Sequence, residues 1–296
     1  MKPQIKKILL VDGNNYLYRI YFALYKALKK EDDYNLILHS LIYNLEKLLL
    51  NLKIDYCFFA FDFKKTTFRN DLYKDYKKDR PKMPEKLYKC MQLFETYLDK
   101  RNIHALKKEN YEADDVIASL ITHFYQNDNL FYILSSDIDL CQLIKKNVIF
   151  LNISKKILNP DFWTEEEFFN KFNFLPSQII DYKSMVGDPS DNIKGVEKVG
   201  VKTAIKLLNN YTNIENIFLN ANNLDKKLKD IFLLDETKDI LKKNQTLIKL
   251  VDNLYLSDQE KIIFKSLKIN NDLFEFLIEH KLQKILIFLK EKKNYQ

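Results

Sequence analysis

Glycine is nearly missing from this sequence. It occurs four times in 296 residues, at Gly13, Gly187, Gly195 and Gly200, where ordinary usage of ~7% would give about twenty. A chain this sparing of glycine should keep it where the backbone needs a positive φ or a close approach. Cysteine is scarce as well. Cys57, Cys90 and Cys141 are odd in number and far apart, with no C-x-x-C pair. That excludes a disulfide framework and a zinc ribbon, and leaves three reduced core thiols. The histidines, His39, His104, His123 and His280, are scattered, so a His-centred metal site or triad is not expected. No apolar run reaches the ~18 residues of a membrane helix. The N-terminus enters a strand pattern within a few residues, with no signal peptide before it. Both features point to a cytoplasmic protein with no membrane partner. Arginine is limited to Arg19, Arg69, Arg80 and Arg101.

What is abundant is lysine, with asparagine, isoleucine, tyrosine and phenylalanine, a pattern of coding bias. The net charge of +7 is modest for this length, so the distribution of charge says more than its total. At 46% hydrophobic residues the chain can bury a real core, and its length allows one large domain or two moderate ones. Apolar runs at Ile5–Val11, Tyr56–Phe61, Phe131–Leu134 and Val148–Ile153 read as buried strands. Helical spacing covers Leu36–Leu52, Leu87–Leu98 and Asp115–Tyr125 between them. Such alternation predicts a parallel sheet covered on both faces. From about Asp161 the strand runs stop and short helices follow, with candidates at Glu165–Phe172, Pro176–Val186, Lys202–Leu208, Leu224–Leu234 and Lys238–Leu250.

Acidic residues fall where an open parallel sheet places its ligands, beyond the carboxyl ends of the strands. Three strand patterns lead into Asp12, Asp62 and Asp137, and Asp139 follows at a spacing of two. Glu112, Asp114 and Asp115 open a helix, where the bland reading is simple stabilisation by the helix dipole. Asp188 and Asp191 sit in a turn sequence, G-D-P-S-D-N. Any one of these could be a turn former or helix cap. Nine carboxylates in one crevice, however, would repel and raise one another's pKa. Hard divalent cations remove that penalty. Nine is more than one magnesium needs and suits two ions, an arrangement matched to phosphodiester hydrolysis.

Directly after Asp62, the segment Phe63–Lys89 carries Lys64, Lys65, Arg69, Lys74, Lys77, Lys78, Arg80, Lys82, Lys86 and Lys89, interleaved with Phe68, Tyr73, Tyr76 and Tyr88. Its place requires it to overhang the acidic crevice. Its composition suits gripping a phosphate backbone and stacking on an unpaired base; the alternative is a solvated helix and a Pro-broken loop. Farther on, Asn192–Ala204 sets Gly195 and Gly200 around a short apolar turn and then opens a helix. It resembles a helix–hairpin–helix, which aims backbone N–H groups at phosphates without reading sequence. An ordinary helical packing unit is the competing reading. Tyr16, Tyr18 and Arg19 follow the first acidic motif and are candidates for the same surface.

The ordered motifs V-D-G-N-N, F-D-F…F-R…Y-K-K-D-R, Y-E-A-D-D, S-S-D-I-D-L, G-D-P-S-D-N and G-V-x-x-V-G-x-K-T-A closely resemble the bacterial 5′–3′ exonuclease family, the 5′ nuclease domain of DNA polymerase I, related to flap endonucleases. The resemblance runs from Ile8 to about Leu208. It implies an α/β fold: a Rossmann-like, PIN/flap-endonuclease-like core over 1–180 with an arch at about 64–89, and a helix-three-turn-helix DNA-binding region over 181–296. It implies one metal near Asp12, Asp62, Glu112 and Asp114, with Asp115 contributing, and a second near Asp137, Asp139, Asp188 and Asp191. Arg69, Tyr76, Lys77 and Arg80 match arch and gateway positions, Lys77 being the one expected at the scissile phosphate. Arg19, Lys194, Gly195, Lys198, Gly200, Lys202 and Thr203 are the expected DNA-binding residues. Lys194 and Lys198 depart from the family's usual proline and glycine. The implied cofactors are two Mg²⁺ ions, with Mn²⁺ able to substitute, and K⁺ at the hairpin. The implied partners are DNA flaps, nicks and RNA primers, and a separately acting DNA polymerase. The implied setting is a monomer at a bacterial nucleoid, or in an organelle if the source is eukaryotic. The alternative of the same fold is a catalytically weak module that binds branched DNA.

Overall fold

The first apolar run forms β1 (Lys7–Asp12), and Asp12 then caps α1 (Gly13–Leu24) by accepting from the Asn15 N–H at 3.0 Å. In this computed structural model, residues 5–25, 34–63, 66–125, 129–255 and 266–293 are described; Lys64 and Lys65 of the expected basic segment lie outside them. After α2 (Tyr34–Leu52) come β2 (Tyr56–Ala60), α3 (Phe68–Leu72), α4 (Glu85–Lys100), β3 (His104–Leu106) and α5 (Ala113–Phe124). Then follow β4 (Leu130–Ser135), β5 (Val148–Asn152), β6 (Asp161–Trp163) and α6 (Glu165–Phe172). The six strands make one sheet in the order β3-β2-β1-β4-β5-β6, parallel except for β6. β1 lies centrally, with Asp12 opposite Ala60 and Val11 opposite Leu134. The expected mainly parallel α/β fold is therefore present.

Period-two alternation divides β1 between two cores. Leu9 and Val11 face α1, α2 and α4, whereas Ile8 and Leu10 face α5. With both faces covered, the strands read as continuous apolar runs rather than alternating ones. β3 and β6, three residues each, were too short to show as strand patterns.

Beyond α6 the chain turns helical. α7 (Ile179–Val186), a small hairpin of β7 (Gly187–Asp188) and β8 (Ile193–Lys194), α8 (Val201–Tyr211), α9 (Ile214–Leu219), α10 (Lys226–Phe232) and α11 (Asp235–Ile248) follow. α7 to α10 share a separate small core around Leu207, Leu208, Ile217 and Phe232. Two glycines are indispensable to the hairpin. Gly187 holds φ at 86°, and a Cβ on Gly195 would sit 2.3 Å from the Val186 carbonyl carbon. Gly200 departs from the expectation for scarce glycines, because a Cβ there would meet nothing within 4 Å. Lys198, in contrast, takes a left-handed φ of 67°.

The last two helices, α12 (Asn271–Glu279) and α13 (Gln283–Lys293), do not join this helical region. Leu273, Phe276, Leu277, Leu282, Ile285 and Leu286 pack into the sheet-side core with α2 and α4. Arg101 anchors their approach: its Nη1 donates to the Lys268 carbonyl at 2.9 Å while its Nε meets the buried Glu46 carboxylate at 2.7 Å. Assigning all of 181–296 to one helical region thus misplaces 271–293. The Lys- and Leu-rich composition of that stretch shows that it is helical but not which surface its apolar side covers. Among the described residues no helix is long and apolar enough to cross a membrane.

Candidate metal centre and nucleic-acid cleft

Each acidic residue reaches its place through the local chemistry of a strand end or helix start. Asp12 ends β1, and its second oxygen accepts from Ser135 Oγ, at the end of β4, at 2.8 Å. Asp62 follows β2, and its Oδ1 caps α5 by accepting from the Ala113 N–H at 2.9 Å. Asp137 accepts from the Asp139 N–H at 3.0 Å and opens the 3-10 turn Ile138–Leu143. Asp12, Asp62, Glu112, Asp114 and Asp137 all line one cleft of about 620 Å³, with Asn14, Asn15, Tyr18, Lys77, Arg80 and Tyr88. Asp139, Asp188 and Asp191 bring one oxygen each within 4.8 Å of one another, and Asp191 is joined to the cleft through Lys77 and Arg80.

The cost of that crowding is visible. Burial, then the neighbouring Asp62 and Asp137, push the Asp12 carboxyl up to about 7. Burial and Asp137 bring Asp139 to about 7 as well. Asp114 is raised well above the carboxylate range by burial, Asp12 and Asp137. Burial also works on Asp188, but Lys183 and Ser190 outweigh it and hold that carboxyl below its ordinary value. The cleft offers carboxylate oxygens without a histidine or cysteine among its lining residues, the donor set of a hard divalent cation rather than zinc.

The segment after Asp62 lies down on this cleft. Lys77, at φ 51°, sets its Nζ 2.8 Å from Glu112 and 3.7 Å from Asp191. Arg80 donates to Asp191 at 2.7 Å. Tyr76 is buried, its one hydroxyl proton shared between Glu112 and Asp191 oxygens at 3.2 and 3.3 Å, so its ring is not offered to a base. Tyr18, Phe63 and Tyr88 are the described rings that line the cleft.

Arg69 and Asp115 differ from expectation. Arg69 is 1% exposed and grips both Asp115 oxygens at 2.7 Å, while its Nε donates to the Leu247 carbonyl at 2.8 Å. Asp115, fully buried, also accepts from the Glu112 and Val251 N–H groups. Neither lines the cleft: the pair ties α3 and α5 to the end of α11, Asp115 offers no free oxygen to a cation, and Arg69 touches the cleft only through Glu112, 3.5 Å away. Two residues near the first motif are also corrected. Tyr16 is wholly buried with its OH on the Leu41 carbonyl. Arg19 donates to the Ile153 and Lys155 carbonyls and lines a separate hollow.

Sequence reasoning missed three residues here. Asn14 Oδ1 accepts from the Asp62 N–H at 3.0 Å, and Asn15 Oδ1 accepts from Ser136 N and Oγ at 3.0 and 2.9 Å. Together they tie α1 to the ends of β2 and β4; the N-N pair in the first motif was their only signal. Lys183 on α7 bonds both Asp139 and Asp188, at 2.6 Å in the latter case. In a lysine-rich chain nothing marks it out.

At the hairpin Lys194, Lys198, Gly200 and Lys202 are exposed, Thr203 is half-buried and Gly195 packs under the turn. Gly200 caps α8, directing the helix N-terminus outward beside Lys202. Asn244 fastens the hairpin to α11, donating to the Ser184 and Lys194 carbonyls at 2.9 and 2.8 Å.

These features have counterparts in known proteins. The 5′–3′ exonuclease N-terminal resolvase-like domain matches residues 7–173, and the 5′–3′ exonuclease C-terminal SAM fold matches 174–270. A 5′–3′ exonuclease of Mycoplasmopsis pulmonis is 34% identical over 92% of this chain and 90% of its own length. DNA polymerase I of Bacillus subtilis is 37% identical over 79% of this chain, which spans 26% of that enzyme. Among solved structures, the T5 5′-exonuclease bound to divalent zinc aligns over 83% of this chain and 90% of its own, with TM-score 0.69 at 18% identity. The catalytic core of Rad2 in complex with DNA aligns over 96% of this chain and 92% of its own, at 0.57 and 15%. At such identities the structures speak for the fold alone. The two domain matches cover nearly the whole chain in order, and with the curated relatives they establish that it belongs to the 5′–3′ exonuclease family.

Proposed function

We propose that this chain is a metal-dependent phosphodiesterase that removes 5′ single-stranded flaps and RNA primers and degrades DNA from nicks and free 5′ ends, in replication and repair. The observation that carries the reading is the meeting of Asp12, Asp62, Glu112, Asp114 and Asp137 in one cleft overhung by Lys77 and Arg80. Lys77 and Arg80 link it to Asp191, which converges with Asp139 and Asp188. Asp12, Asp62, Glu112 and Asp114 would hold one Mg²⁺, and Asp137, Asp139, Asp188 and Asp191 a second, with Mn²⁺ able to substitute. Bound there, such ions lower the pKa of water and neutralise phosphate and leaving-group charge.

The protein's own groups orient the substrate. Lys77, now on Glu112, is placed to turn its ammonium to the scissile phosphate, and Arg80 to neutralise its neighbour. Tyr18 and Tyr88 offer ring faces at the cleft wall. The exposed Lys194, Lys198 and Lys202 with the α8 N-terminus and Thr203 would grip the duplex backbone, with K⁺ a candidate ligand of the turn. A polymerase would act on the cleared strand.

The test is a labelled 5′-flap duplex incubated with Mg²⁺, with and without chelator, using wild type and Asp137→Asn. Cleavage near the junction, abolished by chelator and slowed at least a hundredfold by the substitution, is expected. Tight binding without metal and without cutting would instead identify a branched-DNA-binding module. Metal-dependent cutting of RNA hairpins but not DNA flaps would overturn the substrate class.

A further inference from the structure

Lys183 has a setting unlike that of the other cations near the carboxylates. Lys77 and Arg80 project from the segment after Asp62, and Lys77 reaches a single acid, Glu112, of the first set. Lys183 belongs to α7, whose backbone is fixed. Ser184 Oγ donates to the Ile180 carbonyl at 2.6 Å, Asn244 donates to the Ser184 carbonyl at 2.9 Å, and Gln245 of α11 donates to Asp181 at 2.8 Å. Only its side chain can move. That side chain bridges Asp139, on the turn after β4, and Asp188, on the hairpin, and leaves 16% of itself exposed.

These two acids are also two of the three whose oxygens converge within 4.8 Å. A cation chelated by them at ~2.0–2.1 Å would draw on the same two carboxylates, and would meet an ammonium already in contact with both. Like charges at that distance cannot share the pocket. Without any cation, Asp139, Asp188 and Asp191 would face one another uncompensated, at partial burial.

We propose that Lys183 is the resident counter-ion of the second carboxylate set: its ammonium bridges Asp139 and Asp188 until a divalent cation enters, and is displaced when one does. The proposal rests on reading the cleft as a two-cation nuclease centre. It makes the second cation the weaker of the two, because that ion competes with an ammonium that holds two of its four carboxylates. The first set has a lighter competitor, since Lys77 meets only Glu112 among its four acids.

Two measurements test this on the full chain. Chelator-stripped wild type, Lys183→Met and Lys183→Arg are titrated with Mn²⁺ by calorimetry at fixed pH. Methionine keeps the stem and removes the charge, so the weaker class of site should tighten at least tenfold while the tighter class is unchanged; arginine should leave the weak class weak. Separately, reductive methylation of wild-type lysines is followed by peptide mass spectrometry. Lys183 should be labelled slowly in stripped protein and several-fold faster with saturating Mg²⁺, with exposed Lys202 as the internal reference. An unchanged or weakened second Mn²⁺ constant in Lys183→Met overturns the proposal. So does Lys183 labelling that ignores Mg²⁺, which decides the matter even should the variants not fold. Wild type that cuts flaps in Mg²⁺ while Lys183 fails to respond refutes the counter-ion alone. Wild type that binds no second ion and cuts nothing takes the nuclease reading down with it.

Discussion

Replacing Arg69 by methionine keeps the length of the side chain and removes its charge from a site where that charge is fully engaged. Two bonds of 2.7 Å run to Asp115, and two more run to the Leu247 and Lys249 carbonyls at 2.8 and 3.1 Å. Asp115 would be left buried against two backbone N–H groups with no cation beside it. Breaking a buried pair from one side costs about 3–5 kcal/mol, a large part of the ~5–15 kcal/mol that holds an ordinary fold. At ~2.1 cal/mol/K per residue, a chain of 296 residues loses about 1 °C of Tm for every ~0.6 kcal/mol, so the variant should melt about 5–8 °C lower. The assay is circular-dichroism melting with chelator present, so that cation binding adds nothing to the difference. Asp115→Asn should cost a similar amount. The double variant should cost clearly less than the two together, with a coupling energy of about 2–4 kcal/mol, because each single change already removes the pair. Additivity within about 0.5 kcal/mol would refute the claim that Arg69 is a buried tie and return it to the substrate-facing gate.

Three other outcomes are expected. Asp12 and Asp139 have folded-state pKa values raised to about 7, above the unfolded carboxylate value, so the unfolded chain releases these protons first. The chelated protein should therefore lose stability as pH rises from about 4 to 7, by at most roughly 4 kcal/mol per carboxyl at 1.36 kcal/mol per unit. Saturating Mg²⁺ should restore the Tm at pH 8 and do little at pH 5; a flat chelated profile would contradict this. Asn15→Ala removes the acceptor of the Ser136 N–H and hydroxyl, and should weaken Mn²⁺ binding about 10–100-fold in calorimetry while the fold persists; unaltered Mn²⁺ binding would count against the clamp. Gly195→Ala forces a Cβ to 2.3 Å from Val186 backbone and should destabilise by about 1–3 kcal/mol or more. Gly200→Ala meets open space and should stay within about 0.5 kcal/mol in the same denaturation assay.

The acids were legible because each marks a chain event that sequence displays. Asp12, Asp62 and Asp137 end apolar runs, and Glu112 opens a helix, so a parallel sheet gathers them at one edge. Their partners were not legible. Nothing in F-R-N-D-L shows that Arg69 turns inward to Asp115, 46 residues away, since that pairing depends on how α3 meets α5 and α11. Lys183 was lost in a lysine-rich background, and its role comes only from the folding of α7 against the turn after β4. Asn14 and Asn15 stood inside a recognised motif, but their work is done by side-chain oxygens on backbone groups 48 and 121 residues away. Gly200 was assigned a backbone demand that belongs instead to Lys198, at φ 67°.

The docking of α12 and α13 on α2 and α4 bears on how the molecule is born. A ribosome delivers β1, α1 and α2 first, yet the apolar side of α2 and α4 that receives Phe276, Leu277 and Leu286 stays wet until those late residues emerge. The core on that side of the sheet is therefore completed only when residues 271–293 dock. A chain cut before residue 270 should leave the α2 and α4 faces that receive Phe276, Leu277 and Leu286 exposed as an adhesive apolar surface.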